Sequence, residues 1–215
     1  MIGVRVQRHA RLMGAPESAT ARDPISAGLS EVLKQYGRAR ERDRFKAHPL
    51  RTVMTELSTA IGRLECTSRL QVRWSVGQGN WATIPWVALL DPGVTDRVSR
   101  GVYAIFLFRA DLSGVYLTLN QGTTEMGSGA GVADELRARA HALRAACGAL
   151  PKHGFLLDHS IDLRSTTAIA RGYEHATVAH KLYEVGKVPR DGVLQDDIAV
   201  VCDAYGRVRG SNGAG

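Results

Sequence analysis

Trp74, Trp81 and Trp86 are the only tryptophans in the chain, and all three fall within Val72 to Asp91. Between them stand Gly77, Gln78, Gly79 and Asn80. Glycine lets a backbone turn sharply and come close to a ligand. Gln and Asn amides offer a donor and an acceptor together, which suits the edge of a base. An indole face is a platform for an unstacked base. The combination fits a pocket for a nucleotide turned out of its duplex, with Trp74, Ser75, Gln78, Asn80, Trp81 and Trp86 as base-binding candidates. Trp74 and Trp86 also fit the core of two strands, since Trp74 shares its alternation with Val72 and Val76. Trp81, inside the polar insert, is the stronger ligand candidate. A second polar knot, Asn120-Gln121-Gly122-Thr123-Thr124, reads as a strand-end turn or as a partner to the first at one rim of a sheet. On the second reading Tyr116, Asn120 and Gln121 join the candidates.

Other chemistries lack their residues. No glycine-rich segment ends in Gly-Lys-Ser/Thr, and Gly127, Gly129 and Gly131 have no lysine beside them. There is no HExxH. His175 and His180, five apart on an expected helix, do not share a face. Cys66, Cys147 and Cys202 form no CxxC pair, so free thiols are expected rather than zinc. Asp158 and Asp162 flank an expected short strand, but neither is followed by the Glu-x-Lys that would help hold Mg²⁺. Asp196-Asp197 reads as an exposed charge pair near a helix start. The expectation is a chain with no catalytic residue, no metal and no cofactor, and not an enzyme. A nuclease with a degenerate site, built on Asp158 and Asp162, is the enzymatic alternative.

Charge points to a polyanion. The formal net charge is +7; residues 1–70 carry a net +6 and the rest only +1. Arg38, Arg40, Arg42 and Arg44 follow one another on an expected helix, and with Arg51 and Arg73 they are the phosphate-binding candidates. A solvated helix face explains the same run equally simply. Only five of the 28 basic residues are lysine, a bias that a G+C-rich genome would also produce. With 215 residues the chain suits one domain. No apolar run is long enough to cross a membrane, and no secretory h-region opens the sequence, so a cytoplasmic location is expected.

These residues need a scaffold. Residues 1–27 read as a flexible basic arm, 28–206 as the domain and 207–215 as a disordered tail. Apolar spacing predicts a helix from Leu29 to about Phe45, broken at His48-Pro49. A second helix carries Leu50, Val53, Met54, Leu57, Ile61 and Leu64 on one stripe. Alternation then predicts a strand at Leu70–Val76, an apolar run suggests another at Ile84–Leu90, and the strongly β-like Val102–Arg109 and Val115–Asn120 read as a hairpin. Val132–Cys147, Ala168–Val185 and Leu194–Tyr205 read as helices. Phe155–Leu157 and Ile161–Leu163 read as short strands. The order gives an α+β fold, an antiparallel β-meander of three to five strands packed with about five helices.

The sequence also resembles a known family. Tyr36-Gly-Arg-Ala-Arg, Phe45, His48-Pro49-Leu50, the run from Arg73 through Ala82 with Pro85-Trp86, Gly101-Val-Tyr, Phe106-Leu-Phe-Arg, Ser113 through Gly122, and Lys181-Leu-Tyr with Pro189 and Leu194 resemble the MrcB-like N-terminal domain family over roughly residues 29–205. The resemblance implies a specificity module of a modified-cytosine restriction system. Its partner would be double-stranded DNA carrying modified cytosine, commonly 5-methylcytosine, with base flipping in some members. A motor or nuclease would act in trans, since neither follows the domain here.

Overall fold

The computed structural model describes residues 23–123 and 131–212. The first helix, α1, is Pro24–Arg42. Proline at its first position suits a helix start, where its missing N–H costs nothing. Asp23, the residue before it, provides no side-chain cap. The carboxylate of Asp191 does so instead, accepting from the amides of Ile25 (3.1 Å) and Ser26 (2.7 Å). Asp23 returns the bond by accepting from the Asp191 amide at 2.9 Å.

Helix α2, Leu50–Gly62, buries Leu50, Met54, Leu57 and Ile61 on one stripe, and a 3₁₀ turn follows at Glu65–Thr67. Next come β1 (Gln71–Ser75), β2 (Trp86–Leu90), β3 (Val102–Phe108) and β4 (Gly114–Gln121). After α3 (Val132–Arg144) and a 3₁₀ turn at Leu150–His153 come α4 (Ala168–Ala176), β5 (Thr177–Glu184) and α5 (Asp191–Asn212). The strands pair antiparallel in the order β1-β2-β3-β4-β5. The fold is therefore α+β, with five α-helices and a five-stranded meander among the described residues.

Two layers cover the sheet. Helices α1, α2 and α5 lie on one face, and α3 with α4 lies against β4 and β5. Every residue of β3 and β4 is buried, because these central strands are covered on both sides. No helix among the described residues is long and apolar enough to cross a membrane.

Several expectations need correction. The helix read over Ala168–Val185 ends at Ala176, and Thr177–Glu184 is a strand. His175 and His180 therefore sit on different elements. Phe155–Leu157 and Ile161–Leu163 are not strands; Leu156 alone bridges to His180. The final helix starts earlier and runs through Asn212, so 207–212 are not the expected tail. Likewise Pro24–Ala27 belong to α1 rather than to an arm. The rest of that arm, residues 1–22, lies outside the described residues, as do Thr124, Gly127, Gly129 and residues 213–215. Asp197 is buried rather than exposed. Both its oxygens take Lys181 Nζ at 2.8 Å, and Tyr183 donates its hydroxyl to Oδ2 at 2.7 Å.

Candidate nucleic-acid interface

The connection from β1 to β2 is a tight polar loop. The Ala82 amide closes it by donating to the Val76 carbonyl at 2.8 Å, and Ser75 Oγ accepts from the Gly77 amide at 3.1 Å. Gly77 has φ +116°, and a Cβ there would stand 1.9 Å from the Asn80 carbonyl oxygen. Only glycine fits. At the tip, Gln78, Gly79 and Asn80 are exposed, and the two side-chain amides have no partner among the described residues. They are free to meet a ligand.

Trp81 turns the other way. Its indole N–H donates to the Asp43 carbonyl at 3.1 Å. Its ring meets Tyr36, Phe45 and His48 edge to face, with centroids 5.2, 5.3 and 5.1 Å away. Tyr36 closes the arrangement by donating its hydroxyl to the carbonyls of Val76 (3.0 Å) and Ala82 (2.9 Å), the two ends of the loop. Burial pushes that phenol's pKa well up, so it stays a donor. His48 accepts from the Leu50 amide through Nδ1 at 3.2 Å, which leaves the proton on Nε2 facing Asp43 at 3.2 Å. The expected stacking role of Trp81 is corrected here: its ring and its N–H are both engaged in fixing the loop to the end of α1. A lone indole in a polar insert had to find an apolar seat, and Tyr36, Phe45 and His48 provide it.

That junction carries the basic run. Arg38, Arg42 and Arg44 are exposed and hold no ion pair among the described residues. Arg51, at the start of α2, lies over the rings of Phe45 (5.6 Å) and Trp74 (5.3 Å). Stacking holds its guanidinium in place, and the residue stays exposed to solvent. Arg40 is different. Its guanidinium donates to the carbonyls of Ala110 (3.1 Å) and Thr83 (3.4 Å), so it ties loops together rather than standing free for a phosphate. Arg73 is exposed and donates to Gln71 at 3.0 Å.

The sheet register sorts the remaining candidates. Ser75 pairs with Trp86, Trp86 with Leu107, Leu107 with Tyr116 and Tyr116 with Leu182. These five residues form one row across all five strands, on the face opposite α1 and α2. Trp86 is half-buried in that row, at the foot of the loop that ends in Gln78 and Asn80. Trp74 is on the helix side, half-buried beneath Arg51. Tyr116 is buried; its hydroxyl accepts from Arg109 at 2.8 Å and from the Asp162 amide at 3.3 Å.

Asn120 and Gln121 are not part of this site. They pair with Tyr103 and Val102 at the other end of β3, and four residues of strand from Tyr116 to Asn120 span about 13 Å. Both are buried. Asn120 Nδ2 donates to the Tyr173 carbonyl (3.2 Å) and Thr177 Oγ1 (3.1 Å), and its Oδ1 accepts from the Gln121 amide (2.8 Å). Gln121 Nε2 donates to the Leu136 carbonyl at 2.8 Å. The two amides join β4 to α3 and α4, so the expected meeting with the tryptophan loop does not occur.

The far end of the row opens on a cavity of about 310 Å³ lined by Tyr116, Gly154, Leu156, Ser160, His180, Lys181 and Leu182. His180, buried, places Nε2 2.9 Å from Asp158 Oδ1 and 3.5 Å from Ser160 Oγ. Ser160 donates instead to Asp158 at 2.7 Å. A hydrolytic relay needs its carboxylate and its nucleophile on opposite ring nitrogens; here both face the same one. The Ser160 bonds and His180 hold the Asp158 carboxyl at about 2, below the usual range. Asp162 is tied locally, pairing with Arg164 at 3.1 Å. Among the described residues no three His, Cys, Asp or Glu side chains gather as a metal site.

A family model described as MrcB-like, N-terminal domain matches residues 31–210. No curated protein matches the chain at a significant level. The matched span takes in the arginine run, the tryptophan loop and the whole sheet. The chain belongs to the MrcB-like, N-terminal domain family, and its role is related to restriction systems.

Proposed function

We propose that the chain is a DNA-binding protein that recognises modified cytosine, above all 5-methylcytosine, by turning the base out of the duplex onto an aromatic surface, and that it is not itself an enzyme. One observation carries this reading: Trp81 locks the β1–β2 loop to the arginine-rich end of α1. That contact brings the loop with the free amides of Gln78 and Asn80 to the end of α1 where exposed Arg42 and Arg44 stand, with Arg51 on Phe45 and exposed Arg38 one turn back on α1. Cations on the phosphates position a duplex and carry no sequence information; amides at the base edges supply selectivity. Trp86 takes the stacking role in place of Trp81, with Ser75 beside it in the sheet row. Family membership supports the same direction. A nuclease or motor would then act as a separate partner.

Paired titrations test this, with duplexes identical except for 5-methylcytosine in place of cytosine. Burying one methyl is worth about 0.8 kcal/mol, or about fourfold in affinity. The methylated duplex is expected to bind at least that much tighter, and Gln78→Ala with Asn80→Ala is expected to erase the preference. Equal, salt-sensitive binding to both duplexes would leave only a general DNA-binding protein. Binding to neither would favour a non-catalytic subunit that works through a protein partner.

A further inference from the structure

Cys66 and Cys202 are far apart in sequence and read there as unconnected thiols. The fold brings them together. The 3₁₀ turn that carries Cys66 packs on α5, which carries Cys202. Both line one surface cavity of about 230 Å³, with Arg69, Asp91, Tyr205 and Arg209. Cys66 also faces a second hollow between the turn and α5, beside Gln195 and Asp196. Their thiols lie near enough to shift one another's titration, and both are only half-buried. Cys147 differs: it is buried, and its Sγ contacts the Leu143 carbonyl at 3.6 Å.

We propose that Cys66 and Cys202 form a redox-modifiable dithiol, which a peroxide oxidises to a disulfide that staples the 3₁₀ turn to α5. Position sets the order of events: Cys66 lines both hollows, Cys202 the first. The neighbouring Cys202 thiol holds the Cys66 thiol down at about 7, below its ordinary range. Its Cys66 neighbour and burial push Cys202 up. Cys66 is thus the thiolate that attacks, and Cys202 keeps its proton until the second step. In the first step the Cys66 sulfur attacks one peroxide oxygen, the O–O bond breaks, and hydroxide leaves to become water. The sulfur is oxidised to sulfenic acid and the peroxide is reduced. In the second, the Cys202 sulfur attacks the sulfenic sulfur. The S–S bond forms, the S–O bond breaks, and hydroxide leaves with the Cys202 proton as a second water. Dithiothreitol reverses the product through a mixed disulfide.

The full chain, reduced and then exposed to hydrogen peroxide, provides the test. Thiol titration of the unfolded product should find one thiol where the reduced chain has three, and peptide mapping should find Cys66 joined to Cys202 in one chain. Cys66→Ser and Cys202→Ser should each abolish the link, while Cys147→Ser leaves it intact. The oxidised chain should also melt at a higher temperature than the reduced one, since the cross-link restricts the unfolded state. Three thiols surviving, a bridge between separate chains, or a bridge involving Cys147 would each overturn the proposal. The wild-type map decides the matter even if one variant fails to fold.

Discussion

The indole N–H of Trp81 donates to the main-chain carbonyl of Asp43, across the junction of the β1–β2 loop with the end of α1. The bond links the segment with free amides to the segment with free arginines. Together with the Tyr36 hydroxyl, which holds the carbonyls of Val76 and Ala82, it sets the position of one segment relative to the other.

Replacing Trp81 with Ala should therefore act first on stability. Three edge-to-face contacts and one hydrogen bond are lost, and truncations of this size cost about 3 kcal/mol. Urea denaturation should show that loss. DNA affinity should fall in parallel for methylated and plain duplexes, because positioning is lost rather than a stacking surface. Gln78→Ala and Asn80→Ala should leave stability within about 0.5 kcal/mol while changing selectivity.

Gly77 and Gly79 should respond differently to alanine. At Gly77 an added Cβ would strike the Asn80 carbonyl, whereas at Gly79 it meets nothing within 4 Å. Gly79→Ala should cost about 1–2 kcal/mol, the ordinary penalty of a positive φ. Gly77→Ala should cost more, open the loop and abolish selective binding. Thermal melts and duplex titrations on both variants check this.

Arg42→Ala and Arg44→Ala should each weaken binding equally on methylated and plain DNA. The slope of log affinity against log salt should become shallower by about 0.9 for each phosphate contact removed. Arg40→Ala should behave otherwise, losing stability through Thr83 and Ala110 with a smaller change of slope. Titrations over a series of salt concentrations separate the two classes.

Asp197→Ala should be among the costliest single changes in the molecule. It leaves Lys181 without its carboxylate and Tyr183 without its acceptor. Breaking a buried pair from one side costs about 3–5 kcal/mol; Lys181 is partly exposed, which places the expected loss near the lower end. Denaturant midpoints on the wild type and the variant measure it.

Acid should test the bonds that Ser160 and His180 make to Asp158. The Asp158 carboxyl titrates at about 2 in the fold against an ordinary 3.8. A depressed carboxylate stabilises the fold above its unfolded value, and that contribution disappears as pH falls through the folded one. Midpoints followed from pH 5 downward should therefore drop less steeply in Asp158→Asn than in the wild type. Asp158 is half-exposed, so the difference should be small and should shrink with added salt.

Much of this architecture was legible in the sequence. The stripe from Leu50 to Ile61, the alternation of β1 and the apolar, β-rich runs of β2 to β4 are local patterns with one dominant solution. β5 was not legible, for a physical reason. Thr177–Glu184 contains a histidine and a lysine in a strand that is mostly buried, and both are accommodated by distant groups, Asp158 and Asp197. Without those partners its sequence carries no period-two signal, and helix propensity from α4 runs on into it. Asn120 and Gln121 misled in the same way. Polar side chains at a strand end suggest exposure, but main-chain carbonyls of α3 and α4 were waiting for them. The arginine run was legible as a group, while the exception, Arg40, depends on Ala110, seventy positions away.

The reciprocal caps of Asp23 and Asp191 also bear on when the protein can mature. During synthesis α1 is the first described helix to emerge, yet the carboxylate that satisfies its leading amides is supplied by residue 191. Until α5 has left the ribosome, the start of α1 is open to water and free to fray. Contacts between such distant positions form slowly, because a long loop must close before they do. The closing of these two helix starts is therefore a finishing step of folding, and a nascent chain that stalls before α5 lacks it.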